Sequence, residues 1–308
     1  ICAYFVSLRI WELKRRQDAR LKLHKDELSR EEKKAYKAAV KKKQKAWLIF
    51  ALLFNFGILG VIKYGNFVVS NISGLFGASG EDLFFQLTLP LGISFYTFQT
   101  MGYLIDLYRG EYEPERNFFK FSLFVSFFPQ LIQGPISRFG SLSKDLYASH
   151  PFDGRQVSFG LQRVLYGYFK KMVIADRIIA GLPTISGHPS AYTGAYVFVG
   201  MIFYAIDLYM DFSGGIDIVI GLSQALGITL PENFKRPYFS KSLKDYWHRW
   251  HISLCNWFKD YLFYPISTSP AMLAQAKKMK AAGHEGLSRR FTVYTATMTV
   301  WLSTGIWH

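Results

Sequence analysis

Cysteine is nearly missing from this chain: Cys2 and Cys255 are the two in 308 residues, and both stand in apolar context. That excludes a disulfide framework or a thiolate zinc site, and Cys255 reads as a small packed residue. An initiator methionine is missing too, for the sequence opens on Ile1 and closes on Trp307-His308 inside apolar runs. The expectation is a piece of a longer protein, incomplete at both ends. Period-two alternation is absent from runs such as WLIFALLFNFGILGVI at 47–62, which excludes strands with one face in lipid, so the apolar segments are expected to be helices.

Carboxylates are scarce beside cations, 22 Asp and Glu against 37 Lys and Arg, for a formal charge of +15. The location of the excess argues against nucleic acid. Residues 12–46 hold fourteen Lys and Arg against six Asp and Glu, and the flanking segments are apolar. Only Tyr36 stands between Trp11 and Trp47, so the aromatics that would stack on bases are lacking. A basic stretch between two apolar ones is the positive-inside signal. It predicts a partial transmembrane helix at 1–11, a cytoplasmic loop or helix at 12–46, and a membrane core at 47–308 that lacks its C-terminal part. Within the basic stretch Ser29-Arg30-Glu31-Glu32 has the spacing of a capping box, so a helix should follow. Anionic membrane lipid is the expected partner of this stretch, with an acidic acyl carrier as the alternative.

What is abundant is hydrophobic and aromatic, 50% and 18% of residues, with a mean hydropathy of +0.09 despite the charge. A bilayer core of about 30 Å takes about 20 apolar residues in a helix, and stretches of that kind lie near 47–62, 84–105, 117–133, 191–210, 212–227 and 291–307. Weaker ones lie at 1–11, 66–78, 156–181 and 247–266. The fold class is therefore all-α, a polytopic membrane helical bundle.

Polar groups inside apolar segments mark pocket walls or paired charges. Asp106 sits three residues before Arg109, the spacing of an interfacial ion pair. FFPQLIQGPISRF is broken by Pro129 and by Gly134-Pro135, so it should kink or turn back, with Gln130 and Gln133 serving the freed backbone groups. Asp207, Asp211, Ser213 and Asp217 surround Gly214-Gly215, which are expected to interrupt the helix between them. They suit a polar pocket or an ion path, or else structural pairing with Arg163, Lys170 or Lys171.

Residues 242–262 read as one amphipathic helix at the membrane boundary. At 100° per residue Trp247, Trp250, Leu254, Trp257, Phe258 and Tyr261 share a face, while Lys244, Asp245, His248, Arg249, Asn256, Lys259 and Asp260 share the other. His251 falls at the seam, where a hydrogen-bonded structural histidine is the plain alternative to a functional one. Asp245, His248 and His251 spread over about 120° of that wheel, too wide for two histidines to share one metal, so no metal site is expected. The last apolar segment carries no charge for seventeen residues before His308, and an ionisable group there is rarely kept for packing alone.

LPLGISFYTFQTMGYLIDLYRG, FFPQLIQGPI, GYFKKMVIADR, YMDFSGGIDIVIG, NFKRPYFSKSLKDYWHRWHISLCNWFKDYLF and TGIWH, in this order from about residue 84 to the end, resemble the membrane-bound O-acyltransferase family. The resemblance is to its bacterial alginate O-acetyltransferase-like branch. It implies broken, re-entrant and interfacial helices around a central tunnel. It also implies that His308 of the Gly-x-Trp-His block is catalytic, and that His251 of the Trp-His-x-Ser-Leu block lies in the same tunnel. The turn common after the aromatic helix is replaced here by STSPAMLAQAKKMKAAGHEGLSRR.

Acyl transfer to a hydroxyl needs a base and a polarising group on the donor carbonyl. An imidazole with a reference pKa near 6.5 suits the first role. His308 is assigned as base and His251 as orienter or carbonyl polariser, with Asn256 or a backbone amide as the alternative oxyanion donor. Trp250, Gln133, Asp211 and Ser213 are the further candidates for lining the tunnel. The resemblance implies no bound cofactor and no metal. It implies a cytoplasmic acyl thioester as co-substrate, acetyl-coenzyme A or an acyl carrier protein. An extracytoplasmic SGNH-type partner and a polysaccharide acceptor would lie on the other side of a bacterial cytoplasmic membrane. D-alanyl transfer toward teichoic acid is the nearest alternative, and an ion-coupled transporter the non-enzymatic one.

Overall fold

The computed structural model describes residues 1–75, 90–188 and 190–307. His308 lies outside the described residues, as does the stretch 84–89 that opens one expected span. Every regular element among the described residues is helical. The chain divides into two compact units, Ile1–Gln162 with Gly221–Thr229 and Arg163–Ile220 with Leu230–His308.

In the first unit α1 (Cys2–Leu23) and α2 (Arg30–Leu75) form a helical hairpin. The capping box closes as expected: the Ser29 N–H donates to Glu32 Oε2 at 2.8 Å and the Glu32 N–H to Ser29 Oγ at 3.2 Å. The basic stretch is thus helical on both sides of a short turn. Gln44 ties the pair together by donating to the Ile10 carbonyl at 2.9 Å, while Val6, Ile10, Val40, Leu48 and Ala51 are buried. Beyond Trp47 the outer face of α2 exposes Phe50, Leu53 and Phe54. In water that would be costly, but lipid covers it without penalty. Of the described helices, α2 and α8 (Ala195–Ala225) are long and apolar enough to cross a membrane.

The helix α3 (Ile93–Arg109) begins and ends on left-handed glycines, Gly92 at φ 73° and Gly110 at φ 93°. A Cβ on Gly92 would lie 1.9 Å from the Leu131 carbonyl oxygen, so no other residue fits there. Tyr103, Met101 and Leu104 of α3 are buried, and the Tyr103 ring meets Phe121 and Phe139 at centroid distances of 5.1 and 4.9 Å. Asp106 pairs with Arg109 at 3.5 Å, as its spacing implied, and also with Arg138 at 3.6 Å.

The apolar run at 117–133 is not one crossing helix. Its helix α4 (Phe118–Val125) has eight residues and is followed by a single 3-10 turn at Phe128–Gln130. Pro129 and Gly134-Pro135 cause the break, and the Gln130 amide serves the freed backbone by donating to the Pro135 carbonyl at 2.6 Å. Gln99 donates to the Phe124 carbonyl at 2.9 Å from the facing side. The helix α5 (Phe139–Leu146) completes this corner.

Next come α6 (Gly154–Tyr168), a π-helical stretch at Phe169–Ala175, and α7 (Asp176–Ser186). Glycines set how closely α6 approaches α8. In the first unit a Cβ on Gly160 would meet the Gly221 oxygen at 2.5 Å, and in the second a Cβ on Gly167 would meet the Gly214 oxygen at 2.6 Å. Such small-residue contacts hold helices together in lipid, where apolar burial gives no drive.

The amphipathic region is not the continuous helix that its wheel implied. It consists of α9 (Leu243–Trp247), a break, α10 (Ile252–Phe258), a π-helical stretch at Lys259–Phe263 and α11 (Tyr264–Ser267). From α10 onward the expected face holds, with Leu254, Trp257, Phe258 and Tyr261 all buried. Trp247 ends α9 and meets Trp301 at 5.1 Å. Last come α12 (Pro270–Ala281), formed by the segment that departs from the family turn, and α13 (Glu285–Trp307), which packs on α12 and α11.

Candidate active site

The break in the amphipathic region is where the second unit holds its histidine. His251 takes a left-handed conformation, φ 43° and ψ 53°, as the residue that caps α10. A side chain other than glycine, asparagine or aspartate is seldom found there, and strain of this sort persists when the surroundings impose it.

Asn233 imposes it. This residue is fully buried in the extended segment before α9. Its carbonyl accepts the Ile252 N–H at 3.0 Å and its Oδ1 accepts the Ser253 N–H at 2.9 Å, so the first turn of α10 is anchored on Asn233. One further backbone bond, from the Lys235 N–H to the Arg249 carbonyl at 2.9 Å, fastens the same segment on the other side of the break.

The Asn233 amide also meets the imidazole. Its Nδ2 lies 3.1 Å from His251 Nδ1 and its Oδ1 3.3 Å from the same atom. The shorter contact, 3.1 Å, is read as the amide N–H donating to the Nδ1 lone pair. The ring proton then sits on Nε2, which makes His251 a hydrogen-bond donor at its far nitrogen. Phe212 stands edge-on to the ring at 4.9 Å, and Phe234 lies parallel to it at 6.5 Å. Trp250 packs against Phe234 at 5.1 Å and stacks on Tyr246 at 5.6 Å. His251 is therefore buried in an aromatic cage with Nδ1 held by Asn233.

Phe234 also lines a cavity of about 490 Å³ in the same unit. Five cations face into it, Arg163, Lys170, Lys235, Arg236 and Arg249, against the carboxylates of Asp217 and Glu232. Arg163 bonds Glu232 through two nitrogens at 2.7 Å each and Asp217 at 2.7 and 3.0 Å. Lys170 is buried, donates to Ser213 Oγ at 2.9 Å and pairs with Asp217. The cavity thus keeps a positive excess after these pairings. Arg249 reaches Asp245 at 2.8 Å, and that guanidinium holds the Asp245 carboxyl below its usual range.

The expected site residues fall as follows. Trp250 and Ser213 stand with His251 and the cavity in one unit. Asp211 pairs with Lys171, at 2.5 Å, on the exposed side of α8, and so follows the structural-pairing alternative. Asn256 is exposed on α10 and accepts from Lys259 at 3.4 Å. Gln133 is half-buried in the broken segment of the first unit. His248 is exposed at the end of α9. Asn233, Lys235 and Arg236 were not anticipated. Their one signal is a polar run between Pro231 and Pro237, too short to be a helix.

The chain matches the model of the membrane-bound O-acyltransferase family over residues 114–279, more than half its length and including Asn233 and His251. It belongs to that family. Curated relatives agree. A protein of Pseudomonas syringae pv. tomato named "Probable alginate O-acetylase" is 40% identical over 70% of this chain and 42% of its own length. The peptidoglycan O-acetyltransferase of Helicobacter pylori is 31% identical over 86% of this chain and 52% of its own length. The teichoic acid D-alanyltransferase of Bacillus subtilis is 31% identical over 56% of this chain and 44% of its own. The chain spans about half the length of the curated relatives it matches.

Proposed function

We propose that the full-length protein is an O-acyltransferase of the bacterial cytoplasmic membrane, crossing it several times. It moves an acetyl group from a cytoplasmic thioester toward hydroxyls of an extracytoplasmic polysaccharide. The observation that carries the reading is His251, buried in an aromatic cage and held by Asn233 through Nδ1, beside a cationic cavity. A histidine so held is suited to polarise a carbonyl oxygen as negative charge develops on it. The excess of cations suits a donor that bears phosphate esters, as coenzyme A and the arm of an acyl carrier protein both do.

In this reaction the acceptor oxygen bonds to the thioester carbonyl carbon, the C–S bond breaks and the leaving thiolate is protonated. His308 takes the acceptor proton and passes it to the sulfur, and His251 steadies the oxyanion. An extracytoplasmic SGNH-type partner receives the acyl group and completes its delivery to polysaccharide. Acetyl is favoured over D-alanyl because the alginate-type relative is more similar over more of the chain than the teichoic acid relative.

The test is labelled acetyl retained on the cell envelope by the full-length protein. His308→Gln should lower it by about 10²-fold or more, as removal of a general base does, with membrane abundance unchanged. His251→Ala should lower it too, and His248→Ala should have the mildest effect. Near wild-type acetylation in His308→Gln with His251→Ala inactive would reverse the two roles. Label retained from D-alanine in place of acetate would move the assignment to the teichoic acid branch.

A further inference from the structure

The first unit holds a second cavity, of about 740 Å³, which shares no residue with the one beside Phe234. It lies among α1, α2 and the end of α3. Lys14 and Arg15 come from α1, Lys37 and Lys41 from α2, and Arg109, already paired with Asp106, from α3; Asp18 and Glu113 are the carboxylates in the lining. Lys41 is held by neutral partners, donating to the Tyr108 carbonyl at 2.6 Å and lying 3.7 Å from the centroid of the Tyr108 ring. Burial first, and then the positive charge of Lys14, act against the charge on Lys41 and lower its pKa. Like charges gathered in a concave site on neutral supports are short of an anion.

The place of the cavity along α2 says which anion. Its floor is apolar or neutral, with Ile10, Leu107 and Gln44 all buried. Trp11 and Tyr108 stand at its edge, where aromatic rings mark the boundary between water and hydrocarbon. On α2, Ala38 lines the cavity. At 100° per residue, Ile49 and Phe56 follow it on the same flank of the helix. Both are exposed, and Phe56 meets Phe98 of α3 at 6.1 Å. From Lys41 to Phe56 is about 22 Å at the helical rise of 1.5 Å per residue. Half a bilayer, headgroup included, is about 20 to 22 Å thick.

We infer that this cavity is a binding site for an anionic phospholipid, whose phosphate lies among Lys14, Lys37 and Lys41 and whose chains run along Ile49 and Phe56 between α2 and α3. Charge selects the headgroup, and the apolar flank selects a lipid over a free anion. The site differs from diffuse attraction of the basic hairpin to the membrane, because Lys42, Lys43 and Lys45 carry equal charge outside the cavity.

The experiment titrates fluorescent phosphatidylglycerol or phosphatidylcholine against the full-length protein in neutral detergent. Three variants are compared with wild type: the triple K14A/K37A/K41A, the triple K42A/K43A/K45A, and the single Lys37→Glu at an exposed cavity position, in case the first triple fails to fold. Wild type should bind phosphatidylglycerol about tenfold or more tightly than phosphatidylcholine. The cavity variants should lose that preference, the other triple should keep it, and millimolar inorganic phosphate should leave the bound lipid in place. Equal affinity for the two lipids, or equal losses in both triples, would overturn the site. Full displacement by phosphate would assign it to a free anion. Unchanged lipid binding in the cavity variants, with loss of binding to a purified acyl carrier protein, would assign it to a protein partner.

Discussion

Asn233 does two jobs with one side chain, and they can be separated. Its backbone and Oδ1 hold the start of α10, while its Nδ2 fixes which nitrogen of His251 bears the proton. In Asn233→Asp the carboxylate still accepts the Ser253 N–H, but it now prefers a proton on Nδ1. Below the raised imidazolium pKa both nitrogens are protonated and Nε2 remains a donor. Above it the remaining proton stays on Nδ1, and Nε2 carries a lone pair where the carbonyl needs a proton. Acyl transfer by the full-length variant should therefore fall as pH rises above neutrality, by about 10²-fold, the loss expected for one oxyanion donor. Wild type should show no such fall over the same range. Superimposable pH profiles would mean that the amide only braces the helix. His251 was legible at the seam of the expected amphipathic helix, and its buried setting is what the structure adds. Asn233 was not, because its bond to His251 joins residues 18 apart across a break that no periodicity records.

Helices were legible where local chemistry is complete. The capping box at Ser29 and the prolines of FFPQLIQGPI act within a turn or two of themselves. The wheel over 242–262 failed for the opposite reason: it assumes that helical dihedrals continue, and His251 at φ 43° resets the phase. Hydropathy likewise counted 117–133 as a span because it sums transfer energies and ignores backbone breaks. The approach of α6 to α8 provides a test at this level. A Cβ on Gly167 would lie 2.6 Å from the Gly214 oxygen and 2.9 Å from the Ile218 nitrogen, backbone atoms that cannot swing aside. Gly167→Ala should destabilise the folded protein by about 1–3 kcal/mol, as overpacking does. Gly181 of α7 has open space around it, so Gly181→Ala should be neutral, or stabilising by up to about 1 kcal/mol through helix propensity. Thermal midpoints in one detergent compare the two, and equal shifts would remove the close contact as the reason. Moving α6 away would also pull Lys170 from Ser213 and Asp217, so the cavity should lose its shape along with its stability.

The length of α2 constrains how the protein sits in its membrane. Its 46 residues extend for about 69 Å at 1.5 Å per residue, more than twice the hydrocarbon thickness of about 30 Å. The helix cannot lie wholly within the bilayer, and its composition decides which end protrudes. Residues from Trp47 onward are apolar and expose Phe50, Leu53 and Phe54, whereas Arg30–Lys45 carries eight lysines and arginines. The basic half, with the paired basic half of α1, therefore stands in the water outside the lipid. Positive charge beside a membrane segment is retained on the cytoplasmic side, so the hairpin tip at Ser29 should lie in the cytoplasm. In cells expressing the full-length protein, a cysteine placed at Ser29 should gain no labelling over the parent with an impermeant thiol reagent. It should become labelled once the membrane is opened. The native Cys2 and Cys255 are half-buried, so the comparison is with the parent and not with zero. Labelling of Ser29→Cys in intact cells would invert the orientation of the hairpin.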